Sequence, residues 1–214
     1  MYLLDSDAVR KLCRYELIDE LACALRCTFA DFAVLPQLRY QLKLSNPEAA
    51  LKKLGHENAV VLASRLMEKA KTVEVSASSA NPLLGLDYPG IDSGEAVLFA
   101  ALFEFEQASL ISGDKRAYVA LSRIDDLEVI DTLWVRLICL EEAVQLLLHN
   151  FPFDIVSSKI RSRGGDEALS IVFGRTAPSS QPSAVEALDS YVEALKRSTN
   201  SKYLTRSEKL LLEL

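Results

Sequence analysis

Short apolar runs alternate with helical segments along the first 130 residues of this chain, and this alternation restricts the fold more than any other feature. We predict strands at residues 2–4, 28–35, 72–75, 108–112 and 127–130. The segments between these runs have helical spacing and are long enough to serve as crossovers between parallel strands. The sequence therefore predicts a three-layer α/β fold, in which helices cover both faces of a parallel sheet.

Capping signals and a change of composition divide the chain into two parts. Residues 92–107 and 133–148 are predicted as long helices, and residues 76–91 as a loop that is rich in proline and glycine. A Pro/Ser/Gln segment at 177–183 precedes a last helical stretch. We predict an α/β domain at residues 1–150 and a mostly helical C-terminal extension at residues 151–214.

Charge and cysteine content restrict the classes of partner and compartment. The formal net charge is −6, so any nucleic acid must be held by a local basic patch or through bound cations. Lys159, Arg161 and Arg163 are candidates for such a patch, although short charge clusters usually face water.

Four cysteines without a C-x-x-C pair indicate reduced core residues and no zinc site. With no secretory signal at residues 1–10 and no apolar run that spans a bilayer, we expect a cytoplasmic protein.

Acidic residues follow the predicted strands at the edge where parallel sheets place their ligand sites. Asp5 follows the first apolar run, Asp114 follows the run at 108–112, and Glu95 lies in the first turn of the helix at 92–107. Carboxylates that are close together repel one another unless a cation neutralises them. Mg²⁺ or Mn²⁺ suits oxygen ligands and can assist phosphodiester hydrolysis, so the sequence predicts a divalent metal site here.

Each of these acids also has a purely structural interpretation. Asp92 and Glu95 fit a capping box, in which each side chain bonds to a backbone amide of the other residue. Asp114 could cap the helix that follows it, and Asp5 or Asp7 could cap the first helix. Helix caps do not explain why all the acids gather at one sheet edge.

The ordered set of acidic motifs resembles the PIN-domain family of metal-dependent nucleases over residues 1–133. The resembling segments are Leu3-Leu4-Asp5-Ser6-Asp7, Asp92-Ser93-Gly94-Glu95-Ala96 and Ile111-Ser112-Gly113-Asp114-Lys115-Arg116-Ala117. The resemblance implies phosphodiester cleavage with Mg²⁺ or Mn²⁺, most commonly in RNA, as in VapC-type toxins of toxin–antitoxin pairs. It implies that Asp5, Glu95 and Asp114 are metal ligands, with Asp92 nearby and Ser6 positioning a ligand or water.

The chain departs from the family pattern after the second strand. A further family acid, commonly Glu, stands on the following helix, and here Gln41 occupies that place. A neutral amide adds no charge, so metal affinity and rate are expected to fall, although Asp7 could restore the charge. We also predict that Ser6, Gln41, Lys115 and Arg116 contact the substrate. The resemblance also makes an antitoxin, another protein or a second copy of the chain candidate partners.

Two other functions remain open from the sequence. Gln41 and the long extension favour a catalytically impaired PIN-like interaction or scaffold protein, because a fold does not fix a function. The run Asp5-Ser6-Asp7 also resembles the opening of haloacid-dehalogenase-like phosphohydrolases, in which the first Asp is a nucleophile. That family has another Asp four positions after its late Gly-Asp motif, where this chain has Tyr118.

Overall fold

The computed structural model describes residues 1–76 and 81–212, with side chains up to residue 209. Residues 77–80 of the predicted loop and the last two residues of the predicted extension lie outside this part. The strands are β1 (Tyr2–Leu4), β2 (Phe32–Val34), β3 (Lys71–Thr72), β4 (Ser109–Ser112) and β5 (Leu137–Cys139). The helices are α1 (Ser6–Arg14), α2 (Ile18–Ala24), α3 (Leu38–Gln41), α4 (Pro47–Leu54), α5 (Glu57–Lys69), α6 (Ser93–Glu104), α7 (Lys115–Leu121), α8 (Leu140–Asn150), α9 (Phe153–Arg163), α10 (Glu167–Val172), α11 (Gln181–Ser198) and α12 (Arg206–Leu212).

The five strands form one parallel sheet in the order β3-β2-β1-β4-β5. Strands β2 and β3 lie in turn on one side of β1. The chain then crosses back, and β4 pairs with the other side of β1. The carboxyl ends of β1 and β4 therefore flank the point where the winding reverses, which is where open parallel sheets bind ligands. Asp5 directly follows β1, and Asp114 lies two residues after β4.

Each face of the sheet has its own apolar core, which confirms the predicted α/β architecture with helices on both faces. Leu4 and Ile111 are neighbours in the register and pack with α1, α2, α5 and α8. Leu3 and Leu110 point to the opposite face and pack with α6 and α7. Burial on both faces explains why the strands read as continuous apolar runs rather than as alternating ones.

The predicted position of the last strand is wrong. Residues 127–130 do not form a strand, because Glu128–Thr132 is a 3₁₀ helix. The fifth strand is β5, which lies inside the segment 133–148 that the sequence predicts as one helix. Strand β5 has only three residues and leads directly into α8, so its side-chain alternation is too short to distinguish from helical spacing. The second strand is also shorter than predicted, since Phe29–Asp31 forms a 3₁₀ turn before it.

The C-terminal extension packs against the α/β unit and contributes to both cores. Val156 and Leu188 join the core of the first face, and Val192 and Leu195 join that of the second. Helix α11 has 18 residues and supplies buried side chains to both. No helix in the described part of the chain is long and apolar enough to cross a membrane.

The basic residues at the start of the extension are engaged in ion pairs or hydrogen bonds within the protein. Lys159 pairs with Glu20, and Arg163 pairs with Glu16 at 2.7 Å. The Arg161 guanidinium donates a hydrogen bond to a backbone carbonyl of the extension at 3.0 Å. These side chains hold the extension in contact with itself and with α2 and its preceding turn, so they do not form a free phosphate clamp.

The cysteines are all free, and they occupy different environments. Cys13 and Cys139 are buried in the core, as predicted. Cys23 is exposed and Cys27 is partly exposed, so the prediction that all four are core residues is wrong for this pair. Both lie near the end of α2, where the helix meets solvent.

Candidate metal centre

Asp5 is a buried carboxylate between the start of α1 and the end of β4. It occupies the N-cap position of α1 without making a capping hydrogen bond, and only 8% of the residue is exposed. Its Oδ2 accepts a hydrogen bond from Ser112 Oγ at 3.1 Å, which joins the ends of β1 and β4. Burial raises the pKa of Asp5, against the lowering effect of the Ser112 hydrogen bond. The backbone amides of Ser6 and Asp7 also lower the pKa of Asp5, so its carboxylate faces the start of α1 as well as Ser112.

Glu95 lies in a capping box and is also surrounded by other carboxylates. Asp92 N donates to Glu95 Oε2 at 2.7 Å, and Glu95 N donates to Asp92 Oδ1 at 2.8 Å, which confirms the predicted box. Burial, together with the charges of Asp92, Asp114 and Asp5, raises the pKa of Glu95 to about 7, against the lowering effect of the hydrogen bond from the Asp92 amide. Glu95 thus lies close enough to Asp5 and to Asp114 to be repelled by each, although the three acids come from separate segments of the chain.

Asp114 caps α7 and is held by Arg116. Its Oδ1 accepts hydrogen bonds from the Arg116 backbone amide at 2.9 Å and from Nε at 3.1 Å. Its Oδ2 pairs with the Arg116 guanidinium at 2.5 Å, and this interaction lowers the pKa of Asp114. The Arg116 side chain is 87% exposed, so solvent and salt screen its pairing with Asp114. A divalent cation or a phosphate could therefore replace this contact at small cost.

A surface cavity of about 280 Å³ lies over these acids, close to the lower end of the range for ligand pockets. Asp92, Glu95, Asp114 and Arg116 line it together with the turn at Gly90. Asp5 is not among its lining residues, which agrees with its burial at the end of the sheet. The cavity therefore presents carboxylates and one guanidinium to solvent.

Asp7 and Ser6, the other predicted residues after β1, have different partners. Asp7 Oδ1 lies 2.5 Å from Arg10, and Oδ2 lies 2.6 Å from Lys11. Two cations thus neutralise Asp7, so it adds little free negative charge to the site. Ser6 Oγ lies 3.4 Å from Asp5 Oδ1, close enough for a weak hydrogen bond that orients the carboxylate.

The two basic residues that follow Asp114 have different surroundings. Arg116 remains in the acidic cavity. Lys115 pairs with the buried carboxylate of Glu141 at 2.5 Å, and its Nζ lies 4.8 Å from the centre of the Tyr191 ring. Lys115 therefore faces α11 rather than the acids.

The Gln37 amide, which was not among the predicted site residues, lies beside the start of α6. Gln41 ends α3 and is exposed. A Cβ on Gly94 would lie 3.2 Å from Asp92 Oδ1 and 3.8 Å from Gln37 Nε2, which places Gln37 beside the start of α6. Gln37 comes directly after Pro36, at the end of the segment that contains β2. The rule that locates site residues at strand ends would have selected it.

Two of the carboxylates are candidates to hold a divalent cation. Within the described residues, no group of three His, Cys, Asp or Glu side chains is placed to hold one ion. Mg²⁺ commonly binds through one or two carboxylates and retains several waters. Glu95 accepts its hydrogen bond through Oε2, whereas both oxygens of Asp5 lie within reach of a serine hydroxyl, and the charge of Asp5 raises the pKa of Glu95. Asp5 and Glu95 are therefore the candidates to hold a cation, while Arg116 engages both oxygens of Asp114.

No protein-family model, curated protein or solved structure matches the chain. Interpretation of the site therefore depends on the chemistry of its own residues. The geometry supports two interpretations, a metal-binding acidic site and a set of satisfied helix caps. Asp5 bears most on the choice, because it is buried and its side chain makes no capping hydrogen bond, although the Ser6 and Asp7 amides at the start of α1 lie close enough to lower its pKa.

Proposed function

We propose that this chain is a PIN-like ribonuclease that hydrolyses phosphodiester bonds in RNA with Mg²⁺ or Mn²⁺. The observation that carries the proposal is the buried Asp5 carboxylate at the reversal point of the sheet, electrostatically coupled to Glu95. The strand order and the helices on both faces are compatible with a PIN-like fold. An antitoxin or a second copy of the chain remains a predicted partner.

In this function the residues of the chain hold the ion and the substrate. Asp5 and Glu95 would bind the cation, which when present polarises a phosphoryl oxygen and offsets negative charge. Ser112 fixes the orientation of Asp5 through its hydrogen bond. Arg116 lies in the same cavity and can exchange Asp114 for a phosphate oxygen of the substrate, since its fork of donors suits both groups.

Titration of the purified protein with Mn²⁺ by isothermal calorimetry tests the site without assuming a substrate. We expect wild-type protein to bind Mn²⁺ and Asp5→Asn to bind it at least about 10–100-fold more weakly. Asp126→Asn removes an exposed acid elsewhere and serves as the matched control, with unchanged affinity. Equal binding by Asp5→Asn and Asp126→Asn would assign the ion to another place and contradict the proposal.

A non-catalytic scaffold is the second candidate function, and it is favoured by two acids whose oxygens already accept hydrogen bonds within the protein. Asp92 is engaged in its capping box, and Asp114 is engaged by Arg116 at both oxygens. A domain that needed no metal would retain these acids as caps. Absence of Mn²⁺ binding at millimolar concentration would support the scaffold and exclude the ribonuclease.

The environment of Tyr118 argues against a haloacid-dehalogenase-like phosphohydrolase. Tyr118 stands where that family has an acid, and here it is fully buried. Its hydroxyl donates a hydrogen bond to the backbone carbonyl of Ile138 at 3.2 Å. Tyr118 is therefore a core residue. A phosphoaspartate trapped on Asp5 would instead support the phosphohydrolase alternative.

A further inference from the structure

A second cavity, of about 420 Å³, adjoins the acidic one and extends between α7 and α11. We call it the α7–α11 groove, and the residues relevant here are Gly90, Lys115, Arg116, Arg123, Tyr191 and Leu195. Gly90 and Arg116 line both cavities, so the groove is continuous with the proposed site. Its far wall is α11, which belongs to the C-terminal extension. The extension is therefore required to form the groove.

Cations line the groove, in contrast to the acidic cavity, although Lys115 pairs with Glu141 and Arg116 with Asp114. Lys115, Arg116 and Arg123 line it, and no acid does so among the described residues. Arg123 is exposed, and none of the ion pairs within the described residues includes it. An exposed arginine without a carboxylate partner can bind a phosphate without first breaking an ion pair. This part of the surface is thus suited to a polyanion that the acidic cavity alone would repel.

The floor and wall of the groove are apolar and aromatic. Val119, Ala120 and Leu195 provide the floor, and the Tyr191 ring forms part of the wall. The Lys115 ammonium over that ring fixes the relative position of α7 and α11. Aromatic side chains beside cations are typical of surfaces that bind single-stranded nucleic acid, because every base has a face that can stack.

We propose that the α7–α11 groove binds the single-stranded RNA segment next to the bond that is cleaved. Arg123 contacts a backbone phosphate, Arg116 contacts the phosphate that enters the acidic cavity, and a base packs against Tyr191. This inference rests on the proposed function, since it makes the groove the substrate path to the acids. It assigns a role to the extension, which supplies Tyr191 from α11.

Binding of a fluorescein-labelled single-stranded RNA of mixed sequence, followed by anisotropy in EDTA over a range of salt, tests the groove without cleavage. Arg123→Gln should lower the slope of log K against log salt by about 0.7, the value for one single-strand phosphate contact. Tyr191→Leu should weaken binding about tenfold without changing that slope. Arg197→Gln removes an exposed arginine from α11 outside the groove and should leave both quantities unchanged. Equal effects of Arg123→Gln and Arg197→Gln, or no RNA binding by wild-type protein, would overturn the inference.

The same variants separate failure of the groove from failure of the proposed function. Wild-type binding that depends on Arg123 and Tyr191, in a protein that cleaves no RNA with Mn²⁺, supports the groove and contradicts the ribonuclease. Cleavage at the wild-type rate by both Arg123→Gln and Tyr191→Leu, together with unchanged binding, contradicts the groove and supports the ribonuclease. Far-ultraviolet circular dichroism of each variant confirms that the fold is retained.

Discussion

Glu95→Gln should stabilise the protein in EDTA above neutral pH, because the wild-type carboxylate is charged among other carboxylates. The pKa of Glu95 is raised from 4.5 to about 7, and about 1.4 kcal/mol per pH unit gives roughly 3 kcal/mol. Partial exposure of the side chain reduces this to about 1–2 kcal/mol. Since the pKa is higher in the folded state, the cost is absent below about pH 4.5, grows as the pH rises and is complete above about pH 7.

Urea denaturation followed by circular dichroism measures this effect. In EDTA at about pH 8, Glu95→Gln should be more stable than wild type by about 1–2 kcal/mol, and most of the difference should disappear near pH 4.5. Saturating Mn²⁺ should stabilise wild type more than the variant, because only wild type keeps the full ligand set. Glu48→Gln, an exposed first-turn glutamate of α4, is the control and should be slightly destabilised. A stability difference for Glu95→Gln that is absent at about pH 8 would refute the reasoning.

Two hydrogen-bonding residues give further predictions, each measured by urea denaturation. Ser112→Ala removes the donor to Asp5 and the acceptor for the Asp114 amide, so it should cost about 1–3 kcal/mol and raise the pKa of Asp5 further. Tyr203→Phe removes a buried hydrogen bond to Glu142 and should cost about 1.5–3 kcal/mol. The same change at Tyr40, which is 71% exposed, should cost almost nothing, and equal costs at the two tyrosines would contradict the assignment.

The sequence could locate those parts of the fold and the site that depend on local signals. The capping box of Asp92 and Glu95 fixes the start of α6, and both the box and the helix are present. The apolar run before Asp5 is β1, and Asp5 lies at the predicted sheet edge. Strand β5 could not be predicted, because three apolar residues that lead into a helix have no period of their own.

The partners of charged side chains could not be predicted from the sequence, because they depend on contacts between distant segments. Asp5 is held by Ser112 from another strand, and Lys11, which pairs with Asp7, is shared with Asp166 of the extension. The proximity of Gln37 to α6 depends on how β2 ends beside that helix. Each of these contacts decides how much negative charge remains for a cation, which residue types alone do not determine.

Cleavage of a mixed-sequence single-stranded RNA by the purified protein is the most direct test of the metal-dependent nuclease. We expect cleavage with Mn²⁺ by wild type and by Asp126→Asn, no cleavage in EDTA, and no cleavage by a folded Asp5→Asn variant. Cleavage by Asp5→Asn at the wild-type rate, undiminished cleavage in EDTA, or intact RNA after incubation with wild type and Mn²⁺ would contradict it.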